Sequence, residues 1–270
     1  PAPAPPPAAA AAADGGGEFA RFVALCDRVA SKGGSLDKTE AIKTHVVGLG
    51  AADEAYLTVK LLMPGKANDP RAYQLKDKSL IGTLSTALRC SEREMLSHHE
   101  GSSDVGLTAE HFYGRSSFVT APAAATITLA DVEGFLDRLA DTGTNALALL
   151  REIVPRCTPP ELRVLCRLIS KDLRIATGAA GVVKALGGDG AYARYKAQPS
   201  RLRQLVAAAR GEGGAAADDG DGSDGRHAPS PTVSPTPSCT ADGTGGHHHR
   251  PCEPPREALE RWGLVAVANP

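Results

Sequence analysis

The stretch RCTPPELRVLCRLISKDLRIATGAAGVVKAL, residues 156–186, constrains the fold more than any other part of this chain. Thr158-Pro-Pro-Glu161 places an N-cap threonine, a proline at the first helical position and a glutamate at the third, which predicts a helix start. At about 100° per residue, Leu162, Leu165, Cys166, Ile169 and Leu173 form one apolar stripe, and Val164, Leu168 and Ile175 form a second. A helix of this kind is buried on two sides. The face left over carries Arg163, Arg167, Lys171 and Arg174, spaced four, four and three apart within a window roughly 80° wide, with Ser170 beside them.

Directly after it, Ala176-Thr177-Gly178-Ala179-Ala180-Gly181 leads into Val182, Val183 and Leu186 at helical spacing, with Lys184 on the outside. Thr177 or Gly178 can cap this second helix and leave its first N–H groups free beside small side chains. A helix N-terminus of that kind attracts anions. A cationic stripe running into such a start points to the phosphates of a polyanion. The bland alternative is a solvated charged face followed by an ordinary Gly-rich turn. Charge distribution favours the first. The whole chain is nearly neutral at −1, but residues 151–210 hold 12 Lys+Arg against 4 Asp+Glu, a net +8. Residues 1–150 carry −4 and residues 211–270 carry −5. Sixty patterned residues at +8 are the electrostatic footprint of backbone-phosphate binding.

The rest of the chain reads as helices without strands. Residues 1–17 (PAPAPPPAAAAAADGGG) are low-complexity. Phe19, Phe22, Val23, Leu25, Cys26 and Val29 then repeat at three and four, and further helices are predicted over 36–47, 52–63, 75–88, 91–96, 128–139 and 144–154. Residues 97–127 read as polar and irregular, with one short helix at 108–113. Tyr192 to Arg210 closes the folded region. No sustained alternation of β-branched residues occurs, so residues 18–210 are predicted to be one all-α domain of about a dozen helices. Residues 211–255 read as a linker and 256–270 as a short tail.

Catalytic chemistry is not visible in residue types. His247-His248-His249 between Cys239 and Cys252 sits in a Gly-flanked low-complexity tract, unlike the tight paired spacing of structural zinc. His98-His99 has no nucleophile spaced beside it. Thr177–Gly181 lacks the G-x-x-x-x-G-K-[ST] arrangement of a phosphate loop and has no strand before it. The six cysteines show no C-x-x-C, which fits reduced thiols in an intracellular compartment. No apolar run approaches the ~18 residues of a membrane span.

Several segments, taken together, resemble the N-terminal DNA-binding domain of ATP-dependent DNA ligases, closest to the DNA ligase III and poxvirus type. They are YLTVKLLMPG (56–65), YQLKDK (73–78), LADVEGFLDRL (129–139), Arg156-Cys-Thr158, and RLISKDLR (167–174) running into Gly178-Ala179 and VKAL (183–186). The match covers about 18–207 in one order. The resemblance implies an all-helical domain that docks on the minor groove across a nick and contacts phosphates with basic side chains and helix N-termini. The DNA contacts expected on this basis are Arg163, Arg167, Lys171, Arg174, Thr177, Gly178, Ala179 and Lys184, with Lys60 and Lys196.

The resemblance also implies a departure. The family's catalytic module needs the lysine of K-x-D-G-x-R, and no lysine here is followed by x-D-G. The chain is therefore expected to hold no catalytic or metal residue and no cofactor of its own. ATP and Mg²⁺ belong to the catalytic module, for which 256–270 would be the start. The expected partners are nicked duplex DNA and a ligase catalytic core in cis, with no membrane, for a monomer serving nuclear or mitochondrial DNA in replication, repair or recombination. The readings weighed against this are a non-catalytic DNA-binding relative and a helical protein-interaction scaffold.

Overall fold

Three helices meet along one seam at the centre of the described residues, and the other helices pack around it. The computed structural model describes residues 17–141 and 145–212, which fall in one compact unit. In chain order the helices are α1 (Glu18–Ser31), α2 (Ser35–Gly48), α3 (Ala52–Leu61), α4 (Asp77–Leu88), α5 (Glu92–Ser102) and α6 (Val105–Arg115), then α7 (Leu129–Ala140), α8 (Ala146–Ile153), α9 (Pro159–Ile169), α10 (Ala179–Ala197) and α11 (Leu202–Ala209). Two 3-10 turns, Val154–Arg156 and Pro199–Arg201, complete the described residues, which contain no strand. The all-α reading holds.

The centre is α9. Leu162, Val164, Leu165, Cys166, Leu168 and Ile169 are all buried, so both predicted apolar faces are covered. Its start is fixed as the sequence predicts: the Glu161 carboxylate accepts from the Thr158 backbone N–H at 2.8 Å and from the Thr158 hydroxyl at 2.9 Å. Helices α6 and α1 pack directly on α9. On one flank α2, α10, α11 and α3 follow one another, and on the other α7, α8, α4 and α5 return to α6. The long connection before α7 is pinned to α1. The Gly17 N–H donates to Ala125 O at 2.9 Å, the Phe19 N–H to Ile127 O at 3.1 Å, and Glu18 accepts from the Leu129 N–H at 3.0 Å.

Two predicted boundaries are corrected. Residues 97–127 are not mainly irregular: α5 runs on to Ser102, and α6 begins at Val105 after a break of two residues. Ser103, with φ 52, closes one helix and Asp104 caps the next, its Oδ1 accepting from the Gly106 and Leu107 N–H groups at 2.8 and 3.2 Å. A Gly-Ser-Ser-Asp run reads as a loop, yet here it is a helix stop joined to a helix start.

The central helix ends at Ile169 instead of running to Ile175. Lys171, Arg174 and Ala176 have φ values of 59°, 57° and 49°, so the chain turns and sends Leu173 and Ile175 back into the core by a route other than a helical face. The end of the domain is built from three pieces. Helix α10 starts at Ala179, where the sequence places a cap at Thr177 or Gly178, and bends at Gly187 and Gly188; Pro199 then opens a 3-10 turn before α11.

One consequence for stability follows from His45, in the last turn of α2. Burial first, then the nearby Arg28 and Arg21 guanidinium groups, pull its pKa down to about 4. Between pH 6.5 and 4 the unfolded chain therefore binds a proton that the folded one refuses. Stability is at its full value above pH 6.5 and falls as pH drops towards 4, by at most about 3 kcal/mol and less where solvent screens the half-buried ring. Thermal melts across that range should show a steeper loss for the wild type than for His45→Gln. Parallel curves would remove His45 as the cause.

Candidate nucleic-acid interface

The cations of residues 163–174 do not share one helical face, because α9 stops before the last two. Arg163 is 15% exposed and donates to Asp27 on α1 at 2.7 Å and to Glu110 on α6 at 3.1 Å. Arg167 is 11% exposed and grips Asp104 with two nitrogens, Nη2 to Oδ2 at 2.7 Å and Nε to Oδ2 at 3.2 Å. Burial alone would raise the Asp104 pKa. The Arg167 guanidinium, followed by the two capping amides, outweighs it and holds that carboxyl below the usual carboxylate range. Two of the four expected phosphate contacts thus lie in the seam of α9 with α6 and α1.

The other two stand on the turn that follows. Arg174 is 45% exposed; it pairs with Asp172 at 2.7 Å and reaches the Ser103 carbonyl. Lys171 donates to the Arg71 carbonyl and lies 5.3 Å from the centre of the Tyr73 ring. Residues 171–179 and the turn Leu62–Lys66 line a groove of about 250 Å³. The turn depends on Gly65, whose φ is +69°. A Cβ there would stand 2.8 Å from Lys171 Cδ, so glycine both permits the conformation and lets the two walls approach.

At the end of this groove α10 begins. Gly178 is its extended N-cap and offers no side-chain cap to the first turn, which leaves the amides beside Ala179 available to an anion. Thr177 stands against Gly181: a Cβ on that glycine would be 3.1 Å from Thr177 Cγ2. The groove therefore brings together Lys171, Arg174, Thr177, Gly178 and Ala179 from the sequence-derived set. It adds Lys66, which follows Pro64-Gly65 and is exposed and without an ion-pair partner among the described residues.

The remaining cations lie elsewhere. Lys60 is paired with Glu133, which Arg71 also holds at 3.1 Å. Lys184 is exposed and pairs with Asp189 at 2.6 Å beyond the bend of α10, and Lys196 is in the last turn of that helix. Neither lines the groove. Cys26, Cys157 and Cys166 are free and buried, with thiol pKa values pushed up by burial, so they are poor nucleophiles. His98 is used in packing: its Nδ1 lies 3.0 Å from the Thr108 hydroxyl and its ring stacks on His111 at 4.6 Å. Among the described residues no group of three His, Cys, Asp or Glu could hold a metal ion, and no helix is long and apolar enough to cross a membrane. The His247–His249 tract, Cys239, Cys252 and the expected linker and tail from 213 on lie outside the described residues.

Fold and groove together define an all-helical module with a cationic cleft ending at an uncapped helix start. The family described as DNA ligase N terminus matches residues 18–187. A DNA ligase of Fowlpox virus (strain NVSL) is 30% identical over 188 residues, covering 68% of this chain and 33% of that protein. A DNA ligase of Variola virus is 30% identical over 187 residues, and DNA ligase 3 of Dictyostelium discoideum is 28% identical over 165, which is 60% of this chain and 13% of that one. The chain belongs to the DNA ligase N-terminal domain family. It spans about a third of the length of the poxvirus relatives it matches.

Proposed function

We propose that this domain grips nicked duplex DNA through its phosphates and serves the sealing step of an ATP-dependent DNA ligase in replication, repair or recombination, in the nucleus or the mitochondrion. The observation that carries the reading is the groove, where Lys66, Lys171 and Arg174 surround the uncapped start of α10. Ammonium and guanidinium groups neutralise backbone charge, and helix-start amides donate to phosphate oxygens. Neither contact reads bases, so binding is independent of sequence. With about three phosphates neutralised, log K against log salt has a slope near −3. Fluorescence anisotropy on a nicked duplex between ~50 and ~200 mM salt tests this; a flat salt response would end the phosphate reading.

The residues present do not fit an adenylation site. No lysine sits in K-x-D-G, and the described residues offer no metal-binding carboxylate cluster. On this reading ATP and Mg²⁺ act in a separate module held in cis, and this domain supplies position alone. Residues 1–270 incubated with labelled ATP and Mg²⁺ are expected to take up no AMP. An adduct on any lysine would make the chain more than a binding module.

A further inference from the structure

The groove wall formed by residues 171–177 is an improbable piece of backbone. Three residues within six positions, Lys171, Arg174 and Ala176, occupy the left-handed region without being glycine. Such conformations persist only where the surroundings enforce them. The left-handed Lys171 closes α9, its N–H donating to Leu168 O at 3.1 Å and the Asp172 N–H to Arg167 O at 3.0 Å, and Asp172 Oδ1 accepts from the Arg174 N–H at 3.1 Å; the far end of the turn is held from another helix. Lys38 of α2 is 7% exposed, and its Nζ donates to the Ile175 carbonyl at 3.0 Å and to the Ala176 carbonyl at 3.3 Å.

Lys38 is itself out of place by ordinary rules. A cation in the first turns of a helix opposes the helix dipole, and a buried ammonium is normally matched by a carboxylate. Lys38 has no ion-pair partner among the described residues. What it has is the two carbonyls immediately before Thr177 and Gly178, on the path from Arg174 to the start of α10.

We propose that Lys38 is a positioning residue for DNA binding: its ammonium clamps the strained 171–177 turn, so that Arg174 and the first amides of α10 face one phosphate path. The inference rests on the DNA reading of the groove and deepens it. Lys38 touches no DNA. Without it the two carbonyls need other donors, and the turn can relax towards right-handed dihedrals that swing Arg174 away.

The test compares wild type, Lys38→Met and Lys43→Met for nicked-duplex affinity at one salt concentration. Lys43 lies on the same helix and is exposed, so its variant removes equal charge without touching the turn. Lys38→Met is expected to bind at least about tenfold more weakly, and Lys43→Met to stay within about twofold of wild type. Amide exchange should quicken over 172–178 in Lys38→Met alone. Adding Ala176→Gly removes the Cβ penalty of the left-handed turn and should restore part of the lost affinity; a lysine that merely stabilised α2 would show no such rescue. If Lys38→Met melts below the assay temperature, Lys38→Gln, which keeps a donor for one carbonyl, is expected to fall between the two. Equal losses for the Lys38 and Lys43 variants, or wild-type affinity for Lys38→Met, overturn the proposal. A wild type that fails to bind duplex DNA at low salt overturns the DNA reading and this inference with it.

Discussion

Replacing Gly106 with alanine is expected to destabilise the domain by about 3–5 kcal/mol, out of the 5–15 that a domain of this kind has in total. The sign is opposite to the usual one, since Gly→Ala inside a helix normally stabilises by roughly 0.5–1 kcal/mol. Here the added Cβ would lie 2.5 Å from the Arg163 carbonyl oxygen, 2.8 Å from Arg167 Cγ and 3.1 Å from Asp104 Oδ1. A flexible side chain could move aside, but the nearest atom is backbone of α9, which is packed on both faces. Relief requires α6 and α9 to separate. That opens gaps beside Val105, Ala109 and Phe112, and pulls Asp104 off Arg167 in a pair whose side chains are 6% and 11% exposed. Breaking a buried pair leaves an uncompensated charge, the larger part of the cost. A melt should show the midpoint lower by roughly 10–15 °C. An unchanged or raised midpoint would mean that the helices are not held this closely in solution.

The same seam shows which parts of the fold were legible. The start of α9 could be read from Thr158-Pro-Pro-Glu161 because a cap is local chemistry, complete within four residues. Its end could not. Ser170-Lys-Asp-Leu-Arg174 lacks the glycine that usually marks a left-handed helix end, and the far side of the turn is held by Lys38, which is 137 residues away along the chain from Ile175. The cations follow the same logic. Counting found the +8 block, but a count is blind to partners. Arg163 is matched by Asp27 and Glu110, 136 and 53 residues distant, and Arg167 by Asp104, 63 residues distant. Lys66 left only a weak sign, its place just after Pro64-Gly65, a turn signal that says nothing about what the turn faces. Local motifs survived the passage to three dimensions, whereas the partners of the charges could not be read from them.

Those two kinds of cation should separate cleanly when mutated. Changing Lys66, Lys171 and Arg174 together to Gln is expected to lower duplex affinity about 10²-fold at moderate salt and to flatten the salt slope by roughly two to three, one per lost phosphate contact. Stability should change little for Lys66 and Arg174, which are exposed. Lys171 is expected to contribute least to affinity, since its ammonium already serves the Arg71 carbonyl. Arg163→Met and Arg167→Met should behave in the opposite way. Methionine keeps much of the apolar stem, but Arg167→Met leaves Asp104 buried without its guanidinium, at a cost of about 3 kcal/mol or more. Arg163→Met should cost less, because the carboxylates that it abandons, Asp27 at 51% and Glu110 at 26% exposed, can both reach water. In both, the fraction still folded should bind DNA within about twofold of wild type, with an unchanged slope. Binding and melting measured on the same preparations decide the matter. If Arg163→Met and Arg167→Met keep the wild-type midpoint and lose DNA, these arginines leave their carboxylates for phosphates, and the interface lies along α9 instead of in the groove at its end.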